Sequence, residues 1–177
     1  NACTFTVAQS LAGAGDTFVA VDVAGDIASA FALNAANQRV VGAGDTGTVS
    51  VPLTDALQSV LTLGGLGGRP TVASVDFGAN ADPFVRGIAT NGAAGIGGNG
   101  FTGIATIDDV RSTNGGLAFQ NTGATINVSN SMFDGGAGIG VALTNLTGTF
   151  SMTGSTVTSA GGGFRIEGGN GAISHDG

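Results

Sequence analysis

Gly116-Leu117-Ala118-Phe119 returns as Gly140-Val141-Ala142-Leu143 and again as Gly163-Phe164-Arg165-Ile166. Between the first two copies, Ile126-Asn127-Val128-Ser129-Asn130-Ser131-Met132-Phe133 returns as Phe150-Ser151-Met152-Thr153-Gly154-Ser155-Thr156-Val157. The spacing is 23–24 positions. Within each copy, apolar and polar residues alternate, as in Thr125-Ile126-Asn127-Val128 and Thr149-Phe150-Ser151-Met152, which is the period of a half-buried strand. Gly, Asn and Asp, the turn formers, separate the runs. Short strands repeated at this interval make one coil of a solenoid, because no single coil can bury its own apolar face.

Aligning the copies turns the repeat into columns. Leu117, Val141 and Phe164 form the first, and Phe119, Leu143 and Ile166 the second. Ile126, Phe150 and Ile173 form a third, Val128 and Met152 a fourth, and Phe133 and Val157 a fifth. Asn121 and Asn145 are also one period apart, as are Ser131 and Ser155. Coils about 4.8 Å apart would stack these side chains directly on one another. Stacked Asn side chains can bond coil to coil and satisfy groups otherwise buried without partners. The Gly116, Gly140 and Gly163 corner predicts a positive φ. The expected fold is all-β: a right-handed parallel β-helix of about 23–24 residues per coil.

Upstream the pattern weakens. Thr4–Val7, Thr17–Val21, Gln38–Val41, Thr48–Val51, Thr71–Phe77 and Gly103–Ile107 read as short strands. Val110 lies one period before Phe133, and Asn91–Gly100 is a Gly-rich loop or loosely wound corner. Asp55–Leu63 reads as a short helix capped by Thr54, or as a strand within a loop excursion. Pro70 and Pro83 each precede a strand-like run, which suits a corner. No linker is visible, so residues 1–177 read as one domain, with less regular coils over 1–68 and regular ones over 101–177. Seven or eight coils would stand about 35 Å tall. The pattern starts and stops within a coil, which reads as a piece of something longer.

Composition narrows the function classes. Hydrophobic residues make up 42%, enough for a core in spite of 34 glycines. Charged residues are only 10%, so surface polarity falls to Ser, Thr, Asn and Gly. The net charge is −7 with no Lys and five scattered Arg, a poor match to nucleic acid or anionic lipid, both of which need clustered cations. No apolar run approaches the roughly 20 residues of a spanning helix. Cys3 is the single cysteine, so it is a buried thiol or an interchain partner.

Ala36-Asn37-Gln38-Arg39-Val40-Val41-Gly42-Ala43-Gly44, Gly68-Arg69-Pro70-Thr71-Val72, the Ile126–Phe133 run and Gly138-Ile139-Gly140-Val141-Ala142-Leu143 resemble right-handed parallel β-helix regions of large bacterial secreted and surface proteins, including autotransporter passengers and adhesins. The resemblance spans roughly residues 30–177. It implies export in a bacterium, a location outside the cell or on the outer membrane, and a structural or adhesive role. Unpaired strand edges on a solenoid would let other copies stack end to end or edge to edge, and a surface glycan or protein is the other expected partner. The same fold class also carries polysaccharide-degrading enzymes.

Asp108 and Asp109 are the candidate catalytic pair, with Glu167 as a third carboxylate, since glycoside cleavage uses paired carboxyls as acid and base. Arg165-Ile166-Glu167 is similar to the Arg-Ile-Lys of polygalacturonases, but Glu replaces Lys, the Gly-His-Gly element is missing and the chain order differs. Leu66-Gly67-Gly68-Arg69-Pro70 is similar to the Leu-Gly-Arg-Pro of pectin methylesterases with one Gly too many. Neighbouring residues on a strand face opposite ways, so Asp108 and Asp109 act together only at a turn. No cofactor is expected. Ca²⁺ is the one ion to weigh, and Gly95–Gly100 and Asp134–Gly138 offer glycines but few oxygen ligands. His175, the only His, has no triad or metal partners in sequence. Thr156-Val157-Thr158 is a lone Thr-x-Thr triplet of the ice-binding type. Asn127-Val128-Ser129 and Asn145-Leu146-Thr147 match the glycosylation sequon, accidental on a bacterial reading.

Overall fold

A computed structural model describes residues 9–21, 27–52, 60–64 and 67–176. Cys3, Thr4–Val7, Thr54 and most of the Asp55–Leu63 segment lie outside them. The chain forms a parallel β-solenoid of about six turns with almost no helix.

Each regular turn has three short strands. Thr125–Ser129 belongs to a seven-stranded parallel sheet that runs from Thr17–Ala20 through Arg39–Gly42, Phe84–Arg86, Ile104–Asp108 and Thr149–Thr153 to Ala172–Asp176. Met132–Asp134 and Val141–Leu146 belong to two parallel stacks that share the long strand Thr71–Asp76. The start of Thr71–Asp76 pairs with Ala89–Thr90 and its end with Ile96–Asn99, so one straight strand feeds both stacks. Beyond it the two faces separate at a corner. The turns are not uniform: Ile104 pairs with Thr125, 21 positions on, Thr125 with Thr149, 24 on, and Thr149 with Ala172, 23 on.

The core lies on the solenoid axis. Val75, Ile96, Leu117, Val141 and Phe164 are registered rung upon rung. So are Val40, Val85, Ile107, Val128, Met152 and His175, and Ala105, Ile126, Phe150 and Ile173. Each Val, Leu, Ile or Phe buried this way contributes about 1.5–3 kcal/mol relative to an exposed side chain. In the Phe119, Leu143, Ile166 column the preceding rung is Gly98. The ring of Phe101 fills the space: it meets Phe77 at 5.5 Å and Phe119 at 5.2 Å edge-on, while Phe77 and Phe119 lie nearly parallel 5.7 Å apart. A Cβ on Gly98 would come within 2.9 Å of both Phe101 and Phe77. The Phe133, Val157 column runs back through Ser112 and Thr90, not Val110. Thr90 Oγ1 donates to Ser112 Oγ at 2.9 Å, and Ser112 Oγ donates to the Gly115 carbonyl, so these buried hydroxyls are paired. Val110 sits at the preceding corner, where its N–H donates to Ser131 Oγ at 3.0 Å. The N–H of Ser131 in turn donates to Ser155 Oγ at 3.0 Å, making a short serine ladder.

Two corner expectations change. Asn145 Nδ2 donates to Asn121 Oδ1 at 2.9 Å, and Asn121 Nδ2 to Asn99 Oδ1 at 3.1 Å. The ladder is on the exposed side of the corner, so it fixes a backbone bend and relieves no buried group. Asn121 and Asn145 have φ of 49° and 53°, the left-handed region that Asn tolerates better than most residues. Gly116, Gly140 and Gly163 do not have positive φ. At Gly116 the requirement is close approach: a Cβ would lie 2.0 Å from the Gly140 carbonyl oxygen of the next coil.

The turn count falls short of seven or eight because the strands Val49–Pro52 and Val60–Leu63 pair outside the solenoid, which makes the stack about 29 Å tall at the strand spacing. Val49–Pro52 pairs antiparallel with Val60–Leu63 in this excursion. It covers outward-facing Val19, Val41 and Phe84 with Val49 and Leu63, forming a second small apolar cluster. Those outward positions are apolar for this reason, and their apolar character obscures the inside–outside alternation upstream.

Candidate functional site

The excursion meets the solenoid at the Asp108-Asp109 corner. The corner is a column of left-handed residues, Gly87, Asp109, Asn130 and Gly154, with φ of 67°, 51°, 49° and 53°. The bend sends the two carboxylates apart. Asp108, at a strand end, meets Arg86 Nε at 3.2 Å and accepts from Ser129 Oγ at 2.8 Å and Asn130 Nδ2 at 3.0 Å, all from adjoining coils. Asp109 accepts from Arg69 Nη2 at 2.6 Å, and Arg69 Nη1 donates to the Asp109 backbone carbonyl. Arg69 also reaches Asp45 at 3.3 Å, and Arg111 meets the other Asp45 oxygen at 2.7 Å.

Arg69 is the centre of this network, its side chain only 8% exposed. Burial by itself would lower its pKa; the hydrogen bonds from its guanidinium to Asp45 and Asp109 outweigh burial and hold it above the usual value. The hydrogen bond from Arg69, followed by its positive charge, holds the Asp45 carboxyl below the ordinary range. An acid–base catalyst needs a carboxyl that can carry a proton near the working pH. Asp45 is pushed the other way, and its carboxylate clamps the root of the excursion to the wall.

A cavity of about 290 Å³ lies beside the clamp, lined by Gly42, Ala43, Thr46, Thr48, Val49, Arg86, Gly87 and Asp109. Asp108 and Glu167 do not line it. Glu167 is on another face, two coils further along, paired with Arg165 at 3.5 Å. Asp134 accepts from the Gly136 N–H at 2.9 Å and closes a turn. The structure therefore does not bring Asp108, Asp109 and Glu167 to one groove. Among the described residues no group of three His, Cys, Asp or Glu is placed to hold a metal, and no buried side-chain polar atom lacks a partner. His175 lies at the end of the Val128, Met152 column with its ring 5.1 Å from that of Phe164.

The surface of small polar side chains expected from the composition forms on a strand face. Thr156 and Thr158 sit over Met132 and Asp134, so no hydroxyl rank forms there. On the seven-stranded sheet, however, Thr125, Asn127 and Ser129 lie beside Thr149, Ser151 and Thr153, with all six side chains outward. The Asn127 sequon is part of this face, whereas Asn145 is engaged in its ladder. Arg69 was missed as a structural residue. Its partners are 24 and 40 positions away, and only the strand that begins at Thr71 hinted at its place.

Replacing Arg69 tests the clamp. Arg69→Ala is expected to lower stability by about 1–3 kcal/mol, because the Asp109 carbonyl and carboxylate lose a charged donor at a largely buried position. Arg69→Lys should recover only part, since one ammonium cannot reproduce the fork that bridges Asp45 and Asp109. Chemical denaturation of the three proteins checks this, and equal midpoints would show that the clamp contributes nothing.

Comparisons with known proteins add no relative: no family model, no curated protein and no solved structure matches the chain.

Proposed function

We propose that this chain is a scaffold segment of a secreted or cell-surface bacterial protein of the autotransporter-passenger or adhesin type, acting through passive contacts. One observation carries the reading: the inward columns are filled mostly by apolar side chains stacked for packing, while Thr125, Asn127, Ser129, Thr149, Ser151 and Thr153 line up on the outward faces of two adjoining strands. Such an array offers hydrogen-bond donors and acceptors without charge, suited to a surface glycan or protein. The carboxylates that a polysaccharide-degrading enzyme would need are on separate faces and engaged with Arg69, Arg86 and Arg165.

Antibody labelling of intact source cells tests location. Label on unpermeabilised cells or in the culture medium is expected, and label only after permeabilisation would overturn the surface role. Incubation with acidic and neutral polysaccharides tests the enzyme alternative. No new reducing ends or unsaturated products should appear; turnover abolished by Asp108→Asn or Asp109→Asn would reverse the assignment.

A further inference from the structure

We propose that the cavity beside the Arg69 clamp is a binding subsite for one ring of a neutral sugar, held between the excursion and the solenoid wall. It is separate from the flat strand face. Its volume of about 290 Å³ lies at the small end of ligand clefts, which run from about 300 to 1,000 Å³. Thr46, Thr48 and Val49 of the excursion form one side, and Arg86 and Asp109 of the wall form the other. Arg69 fixes the two sides relative to each other: it bonds Asp109 on the wall and Asp45 in the Gly44–Thr46 turn that carries Thr46. A cleft braced in this way is ordered before a ligand enters, which lowers the cost of binding.

The polar groups around the cavity supply both donors and acceptors. Arg86 meets Asp108 through Nε at 3.2 Å, and among the described residues its terminal nitrogens donate no hydrogen bond. Asp109 accepts from Arg69 through Oδ1 at 2.6 Å, which leaves Oδ2 to accept from a ligand. Oδ2 comes so near Gly44 that a Cβ there would lie 2.5 Å from it, so the carboxylate reaches this wall only because residue 44 is glycine. Thr46 Oγ1 donates to the Ala43 carbonyl at 3.0 Å, so in the 3.0 Å contact between the Thr46 and Thr48 hydroxyls Thr48 is the donor. The lone pairs of Thr48 Oγ1 remain as acceptors.

The balance of charge selects the ligand. Arg86 is paired with Asp108 and Asp109 with Arg69, so the formal charges at the cavity are already matched. An anion would have to displace Asp108 from Arg86, and a cation would have to displace Arg69 from Asp109. A neutral pyranose needs neither. Its hydroxyls accept from Arg86 and donate to Asp109 and Thr48, and hydrogen bonds to these ionised groups are stronger than neutral ones. The C–H face of the ring lies against Val49, the apolar part of the excursion wall.

Saturation-transfer NMR titrations of the 177-residue chain with D-glucose, D-galactose, D-mannose and N-acetyl-D-glucosamine, one at a time, test this. At least one sugar is expected to bind with a dissociation constant in the millimolar range. Thr48→Val and Arg86→Gln each remove a hydrogen-bonding group from the cavity and should weaken that sugar about tenfold. Thr48 is exposed, so Thr48→Val should keep the fold even where Arg86→Gln does not, and melting curves establish which variants are folded. Ser151→Ala, on the flat strand face, should leave binding unchanged. Absence of transfer to all four sugars overturns the proposal. So does transfer that survives both cavity variants, or that Ser151→Ala abolishes, which would put the sugar on the flat face. Free glycine and D-galacturonate, run alongside, should give no transfer; binding of either in preference to the neutral sugars would mean that the ion pairs open, and overturns the neutral ligand. None of these results bears on surface labelling, so the scaffold reading and this site fail separately.

Discussion

Val128→Asp is expected to leave the chain unfolded at room temperature. Val128 is 2% exposed and registered between Ile107 and Met152, with apolar side chains above and below. A carboxylate there has no partner within its column, and removing an unpaired charge from water costs several kcal/mol even after relaxation. That is comparable with the roughly 5–15 kcal/mol stability of a typical domain. A solenoid is also divided by such a defect, because each coil is held only by its neighbours. The pH dependence has a definite sign. Burial raises the folded-state pKa of the new carboxyl above its unfolded value of about 3.9. The destabilisation is therefore smallest below that value and grows as pH rises toward the folded pKa. Circular dichroism should show no cooperative melt for Val128→Asp at neutral pH, and Val128→Ala should melt only modestly below wild type. An Asp variant with an unchanged midpoint would remove Val128 from the core.

The contrast between residues 101–176 and the upstream coils explains how much of the fold was legible in sequence. Parallel stacking demands similar side chains one coil apart, so Leu117/Val141/Phe164 and Ile126/Phe150/Ile173 are written directly into the repeat. Upstream, the same register holds between Val40 and Val85, but 45 positions separate them because the excursion intervenes. Its own packing also makes Val19, Val41 and Phe84 apolar on the outside. Gly98 with Phe101 is a further disguise: a side chain from beyond the end of the strand fills a rung that the repeat leaves empty. A reader of periodicity sees a missing core residue there, though the core is full.

The candidate site was legible in the opposite sense. Asp108-Asp109 is conspicuous as a sequence pair, and alternation along a strand left a turn as the one place where the two could act together; the corner exists, but Arg69 and Arg86 draw the carboxylates apart. What sequence could not supply was Arg69 and Asp45, since partners 40 and 66 positions apart carry no periodic signature. The ladder asparagines, by contrast, were visible because Asn121 and Asn145 obey the period, while Asn99 escaped notice. It stands one place before the left-handed corner, which Gly100 occupies with φ of 73°.

Gly116→Ala is expected to destabilise the solenoid by about 3 kcal/mol or more, near the upper end of overpacking costs, and the three corner glycines should not behave alike. A Cβ at residue 116 would lie 2.0 Å from the Gly140 oxygen and 2.5 Å from the Ile139 oxygen, against 3.4–4 Å for ordinary contact. Both atoms are backbone, and that backbone is held: the Gly140 carbonyl accepts from Leu117 N–H at 2.9 Å, and the Gly116 carbonyl from Ile96 N–H at 3.0 Å. Relief requires moving one coil against the next, which strains these bonds along with the apolar columns beside them. At residue 140 the nearest atom is a methyl of Val157, at 2.3 Å, with the Gly163 oxygen at 3.0 Å, so a side chain can absorb part of the clash. At residue 163 nothing lies within 4 Å. Gly163→Ala should be neutral or stabilising by up to about 1 kcal/mol, because alanine narrows the unfolded ensemble at no native cost. For a chain of this size 1 kcal/mol shifts the melting midpoint by about 2–4 °C, so Gly116→Ala should melt roughly 6–12 °C or more below wild type. The order of midpoints should be 116 lowest, then 140, with 163 at or above wild type. Equal losses at all three positions would mean that a shared left-handed backbone, and not the approach of the next coil, is what requires glycine at this corner.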